Sequence, residues 1–273
     1  MTTRLSGGVA VAIACVVALA IAVAGAVAPA AATPRAGKSV IGGYVASLSA
    51  WPYQAALTKS GRLVCGGSVI APTKILTAAH CVFRFKLASL RVITGRSRLR
   101  AESGGEEIPV AWASIHPDYP TTFRHDIAVI TLAFPTSAPS IGLPTAEQDR
   151  LATAPGSLLR VAGFGARDPF GGKLSGQLLQ TTERVRTGRR CKKAFRSGFS
   201  GRAMICALGK RLRRFKLHTT ACSGDSGGPL VADTSTGPVA VGTVSYGGPV
   251  CGYRAPTVYA RVSDALDFIL AAL

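Results

Sequence analysis

The stretch TTACSGDSGGPLVAD, residues 219–233, sets one serine, Ser226, between Asp225 and Gly227, with glycines also at 224 and 228. A serine hydroxyl is a weak nucleophile alone. It needs a base to take its proton, usually histidine, and a carboxylate to orient that base. It also needs N–H donors aimed at the oxyanion that forms when it attacks a carbonyl. Glycine lets backbone approach a substrate closely, and Gly224 and Ser226 are spaced to aim two N–H groups at one point. Alone, the segment reads equally well as a glycine-rich turn. The candidate base is His80, ending the apolar run ILTAAHC. The candidate carboxylate is Asp126 in FRHDIAVITL, heading an alternating apolar run that would half-bury it. The neighbouring His125 is expected on the opposite face, at the surface.

These residues need a frame. Short β-type runs dominate from Val40 onward: LVCGGSVI, KILTAAHC, LRVITG, IPVAWASI, DIAVITLA, LLRVAGFG, GPLVAD, PVAVGTVSYG and PTVYARV. Gly, Pro, Ser and Asp turns separate them. Many short strands without alternating long helices predict an all-β sandwich or barrel. The last stretch, SDALDFILAAL, predicts a C-terminal helix with Ser263 as N-cap and Leu266, Ile269, Leu270 and Leu273 on its apolar face. No internal repeat is visible.

The 273 residues are 48% hydrophobic, which is enough for a real core and argues against disorder. Arg4 followed by an apolar run from Val9 to about Ala32 reads as a secretory leader, residues 1–32, cut between Ala32 and Thr33. The alternative is an uncleaved membrane tether through residues 9–32. Residues 33–39 then form a short polar propeptide. Cys15 lies inside the apolar run, where lipid attachment is its alternative role. The other six cysteines, Cys65, Cys81, Cys191, Cys206, Cys222 and Cys251, suggest three disulfides in an exported chain, with fifteen pairings open. No CxxC pair supports a zinc site. Net charge is +19; removing Arg4, Arg35 and Lys38 leaves +16 from Val40 onward. Thirteen Lys or Arg and no acid lie between Arg184 and Lys216. Apolar residues are interleaved there, which reads as a folded basic face suited to polyanions or an anionic envelope.

VIGGY at 40–44, LTAAHC at 76–81, DIAVITL at 126–132, CSGDSGGP at 222–229 and VSYG at 244–247 together resemble the trypsin/chymotrypsin-like serine peptidases. Histidine, aspartate and serine come in that family's order. The resemblance covers residues 40–273. It implies two packed six-stranded antiparallel β-barrels with a C-terminal helix and the active site between the barrels. By this likeness Ser226 attacks, His80 moves the proton, Asp126 holds the imidazole, and the N–H groups of Gly224 and Ser226 form the oxyanion hole. Ser245 would support Asp126. The resemblance pairs Cys65 with Cys81, Cys191 with Cys206, and Cys222 with Cys251. Leu159 and Ala232 stand where animal members commonly carry a further disulfide; both are apolar, so the pair is replaced, as in many bacterial members. Activation by cleavage would free the α-amine of Val40 to pair with Asp225. The residue before Val40 is Ser39, so a tryptic cut after Lys38 leaves one residue too many.

Substrate choice departs from the tryptic pattern. P1 is the substrate residue before the scissile bond. At the pocket base trypsin-like members carry aspartate, and this chain carries Thr220. Gly247 would leave the mouth open and Thr257 would shorten the pocket. The resemblance therefore implies a secreted, non-tryptic serine endopeptidase preferring neutral medium or large apolar P1 residues: Leu, Met or a slim aromatic, with Ala or Val as runner-up. The basic insertion 209–218 is longer than in trypsin and lies beside Thr220. Arg96 stands where the family's calcium loop begins with an acid, so no metal and no cofactor are expected. The expected partners are protein or peptide substrates rather than nucleic acid, and the chain is expected to be a monomer. A binding-only protein of the same fold is the competing class; such proteins usually lose a triad residue, and all three are present.

Overall fold

The computed structural model describes residues 1–3, 40–100, 104–122, 124–213 and 216–273. The leader, its cleavage site, the tether, Cys15 and the propeptide lie outside the described residues. Contacts divide the chain into Met1–Thr33 and Pro34–Leu273. Among the described residues, no helix is long and apolar enough to cross a membrane.

Twelve strands carry the fold. They are β1 Gln54–Lys59, β2 Arg62–Ala71, β3 Lys74–Thr77, β4 Leu90–Thr94, β5 Glu106–Ile115 and β6 Ala128–Leu132. Then come β7 Leu158–Gly163, β8 Leu179–Val185, β9 Met204–Gly209, β10 Pro229–Thr234, β11 Gly237–Tyr246 and β12 Thr257–Arg261. The first six close into an antiparallel barrel in the order β1-β2-β3-β6-β5-β4. The second six repeat that order, β7-β8-β9-β12-β11-β10, closing where β10 pairs with β7 at Leu230↔Val161. The topology thus contains the repeat that the residues do not display. Closure leaves no free edges within either set of six.

Nine of these strands are the runs predicted above; β1, β8 and β9 are not among them. β1 and β9 are buried on both faces over most of their length, so QAALTK and MICALG show no alternation. β8, LQTTERV, alternates, but its buried set Leu179, Thr181, Glu183 and Val185 is half polar.

The C-terminal helix differs from its prediction. Ser263–Ala265 form a 3-10 turn and the α-helix is Leu266–Ala271, with Ala265 rather than Ser263 as N-cap. The tighter turn shifts the phase, so Val262, Ala265 and Ile269 are buried while Leu270 and Leu273 are exposed. His125 also differs: it is half-buried, stacks on His116 with ring centroids 4.4 Å apart, and its Nε2 lies 2.9 Å from Asp264 Oδ2. The tail of the chain covers the face that was expected to meet solvent.

One apolar cluster runs from Val69, Leu76 and Ile130 of the first barrel to Phe164, Leu178 and Val231 of the second. Each such side chain contributes about 1.5–3 kcal/mol on full burial. Trp51 is fully buried, and its indole N–H donates to Gln180 Oε1 at 2.6 Å. At Gly66 backbone meets backbone: a Cβ there would stand 3.1 Å from Gly228 Cα. Leu159 and Ala232 are buried in the second barrel's apolar cluster.

Candidate active site

β3 ends at Thr77, and the chain enters a 3-10 turn, Ala79–Cys81, whose outer residues are buried. The disulfide Cys65–Cys81 ties this turn to β2. Between the two anchors, His80 turns its ring outward. Its backbone N–H donates to Asp126 Oδ1 at 2.9 Å, and its Nδ1 lies 2.7 Å from Asp126 Oδ2. A carboxylate only accepts, so the imidazole holds its proton on Nδ1 and Nε2 keeps a lone pair. Asp126 sits just before β6 with its side chain 5% exposed. Burial pushes its pKa up, but the His80 ring, the Ser245 hydroxyl and the His80 N–H together hold it below the usual carboxylate value. Ser245 Oγ donates to Asp126 Oδ2 at 2.5 Å.

Ser226 lines a cleft together with Ser245, so it lies at the same junction as the His80–Asp126–Ser245 chain. The loop that carries it is held from several sides. Gly66 N–H donates to Ser226 O at 2.7 Å, and Gly227 N–H to Val244 O at 2.7 Å. Gly227 has φ +80°, and a Cβ there would stand 2.2 Å from Thr77 Oγ1, three residues before His80. Only glycine lets the serine loop approach the histidine turn this closely. The N–H groups of Asp225, Gly227 and Gly228 all have backbone acceptors. Those of Gly224 and Ser226 meet none among the described residues. Gly224 has φ +91°, in the left-handed region that favours glycine. Two backbone donors without a backbone acceptor, either side of Asp225, are available to an anionic oxygen.

Asp225 points the other way. It is fully buried, Oδ1 accepting from Gly165 N at 2.8 Å and Oδ2 from Cys222 N at 2.9 Å. Burial outweighs these bonds and pushes its pKa up to about 6. Val40 and Ile41 are buried at 1% and 3% exposure, and Ile41 bridges to Thr220. Val40 has φ +41°, which β-branched residues strongly avoid.

The cleft beside Ser226 is walled by Cys222 and Cys251, which form a disulfide, and by Gly247 and Thr257. The remaining disulfide, Cys191–Cys206, joins the helix Gly188–Phe195 to β9. Thr220 is buried behind the cleft wall, its Oγ1 2.5 Å from Thr257 Oγ1. Expected at the pocket base, Thr220 is not among the residues that line the cleft, whereas Thr257 is. The insertion folds back as a two-stranded hairpin, Arg211↔His218, and Gly209 N–H donates to Thr219 O at 3.0 Å. Arg96 donates through Nε to Gly104 O at 2.8 Å.

One residue escaped the sequence reading. Glu183 on β8 is fully buried, and its Oε1 accepts from Thr220 Oγ1 at 3.0 Å and Ala221 N at 3.2 Å. Burial dominates and pushes its carboxyl up to about 8, against the Tyr259 phenol, Thr220 and Ala221, which pull it down. Oε2 and the Tyr259 hydroxyl are close enough to interact, though neither has a partner of good hydrogen-bond geometry among the described residues. The available signal was period two: Glu183 shares the core-facing register of Leu179 and Val185.

Two like barrels with a cleft at their junction define the chymotrypsin-like class. The sequence profile of the trypsin family matches residues 40–269. Relatives include a trypsin beta from Drosophila erecta, 32% identical over 87% of this chain and 89% of the relative. A trypsin from Saccharopolyspora erythraea is 31% identical over 85% and 96% respectively. A venom protease from Bombus pensylvanicus is 36% identical over 86% and 99%. The chain belongs to the trypsin family and is a serine endopeptidase, a hydrolase of peptide bonds.

Proposed function

We propose that Ser226, His80 and Asp126 form the catalytic triad. The observation that carries this is the hydrogen-bonded chain His80–Asp126–Ser245, which ends on the cleft that Ser226 lines. Ser226 Oγ attacks the scissile carbonyl as His80 Nε2 takes its proton. The N–H groups of Gly224 and Ser226 receive the oxyanion. His80 gives the proton to the leaving amine, and water then cleaves the acyl-enzyme by the reverse roles. Asp126 stays ionised and stabilises the imidazolium.

The active form begins at Val40. The buried position of Val40 and its positive φ support this, since cutting the Ser39–Val40 bond releases that backbone constraint. The freed α-amine pairs with Asp225, whose carboxylate has no cation beside it among the described residues. Export supports the same scheme, with residues 1–32 removed as a leader and 33–39 as a propeptide. Three disulfides persist best in an oxidising compartment.

The P1 preference is neutral and of medium to large size. Thr220 and Thr257 bring no charge to the cleft, and near neutral pH the Glu183 carboxyl is protonated. A cationic P1 tip left unpaired there costs several kcal/mol. The test is a P1 panel at pH 7 with enzyme sequenced from its N-terminus. Leu, Met or Tyr is expected to exceed Arg and Lys in kcat/KM; Arg or Lys in front would contradict the reading. A second surface supports contact with anionic substrates: Arg124, Arg189, Lys192, Arg196 and Arg202 line one groove.

A further inference from the structure

Glu183 is a buried acid that the proposed mechanism leaves unused, and its bonds lead to the substrate pocket. Thr220 has one hydroxyl proton, and with Glu183 Oε1 3.0 Å away it is donated there. Oε1 accepts whether or not the other carboxyl oxygen is protonated. The 2.5 Å contact between Thr220 and Thr257 must then be a donation from Thr257. Thr257 lines the cleft, and its Oγ1 lies 3.9 Å from where a Cβ on Gly247 would stand, across the pocket mouth. With its proton committed inward, Thr257 presents lone pairs to the cleft. This part of the cleft wall is a hydrogen-bond acceptor, backed through two hydroxyls by an acid on another strand.

We propose that Glu183 is a specificity-determining residue of this pocket: acting through Thr220 and Thr257, its ionised carboxylate admits a cationic P1 side chain that the protonated form excludes. The inference rests on the pocket assignment above and adds a second, conditional substrate class to it.

The groups facing Glu183 are few. Tyr259 approaches from β12, Asp225 from the serine loop, and Arg186 follows the end of β8. The paired strands place only Leu159 and Gly209 opposite Glu183. Burial therefore dominates, and the carboxyl ionises at about pH 8. Below that pH the relay behind the cleft wall is neutral; above it the wall carries negative potential. A P1 cation favours the ionised form, so its binding releases a proton and tightens as pH rises. A charge two hydroxyls away, at an effective dielectric near 20, is worth roughly tenfold in kcat/KM.

The test uses the enzyme beginning at Val40 and two peptides that differ only in Leu or Lys at P1, between pH 6.5 and 9.5. The ratio of kcat/KM for Lys over Leu cancels titrations of the triad and of the α-amine. It is expected to rise about tenfold with a midpoint near pH 8, because kcat/KM reports groups of the free enzyme. In Glu183→Gln the ratio should no longer depend on pH. Should that variant fail to fold, Thr257→Val removes the last oxygen of the relay and should shrink the rise. A flat ratio in the native enzyme overturns the proposal, as does a rise that Glu183→Gln preserves. Failure to cleave the Leu peptide at any pH would instead overturn the pocket assignment, so the two failures are distinguishable.

Discussion

Asp126 and Asp225 are both buried carboxylates, and their surroundings set them apart. Asp126 gains a ring, a hydroxyl and an N–H, and its pKa falls despite burial. Its charge is therefore present across the neutral range. Asp126→Asn would put the wrong tautomer on His80 and is expected to lower kcat on the order of 10⁴-fold with little change in KM, measured on a P1-Leu peptide. Asp225 has only two backbone N–H groups, and burial wins. Its folded pKa, about 6, lies above its unfolded value of 3.8. Its neutral form is thus the one the uncut fold favours. That contribution is fully present below pH 3.8 and lost as pH rises through 6. A rise from 3.8 to about 6 corresponds to about 3 kcal/mol. In the proposed active form, the α-amine of Val40 would reverse the sign by supplying a cation. Between pH 6 and 7.5, urea denaturation should find the cut form more stable than the uncut form, with the gap closing near pH 4. Equal stability at both pH values would argue against the Val40–Asp225 pair.

At the scale of elements, the site depends on a 3-10 turn, a glycine loop and the strands that grip them. The disulfide Cys65–Cys81 holds the His80 turn, and a closed loop of this length contributes about 3 kcal/mol. Cys65→Ala with Cys81→Ala should lower the unfolding midpoint and also reduce kcat, since the turn loses its anchor. Stability lost with kcat unchanged would show that the disulfide does not orient His80. Much of the site was legible because its chemistry needs unusual residues in fixed settings: His80 before Cys81, and Ser226 among glycines. Short β-type runs between Gly, Pro, Ser and Asp turns revealed nine of the twelve barrel strands. β1 and β9 stayed hidden because QAALTK and MICALG each hold a single β-branched residue and no aromatic, and β8 because Thr181 and Glu183 make its inner face look polar. Glu183 was unreadable for the same reason. Nothing local reveals that an acid on β8 bonds to Thr220, 37 residues on. His125 was misread because its cover comes from Asp264, 139 residues away.

As a whole molecule, the peptidase is two copies of one topology whose chemistry lies at their junction, with strong positive charge on part of the surface. The groove lined by Arg189, Lys192 and Arg196 faces solvent apart from the cleft beside Ser226. Exposed charges are screened beyond a Debye length of about 10 Å at 0.1 M salt. Peptides with an acidic tail distant from the scissile bond should lose kcat/KM severalfold between 0.05 and 0.5 M salt, while neutral peptides change little. Equal salt response in both would assign the basic face to solvation alone. The central claim, that Ser226 is the nucleophile of a competent triad, is tested most directly by labelling. Protein beginning at Val40 is treated with a serine-directed phosphonate and mapped by peptide mass. The account predicts one adduct, on Ser226, absent in Ser226→Ala and strongly slowed in His80→Ala. Labelling that persists in Ser226→Ala, or active peptidase that takes no label, would contradict it.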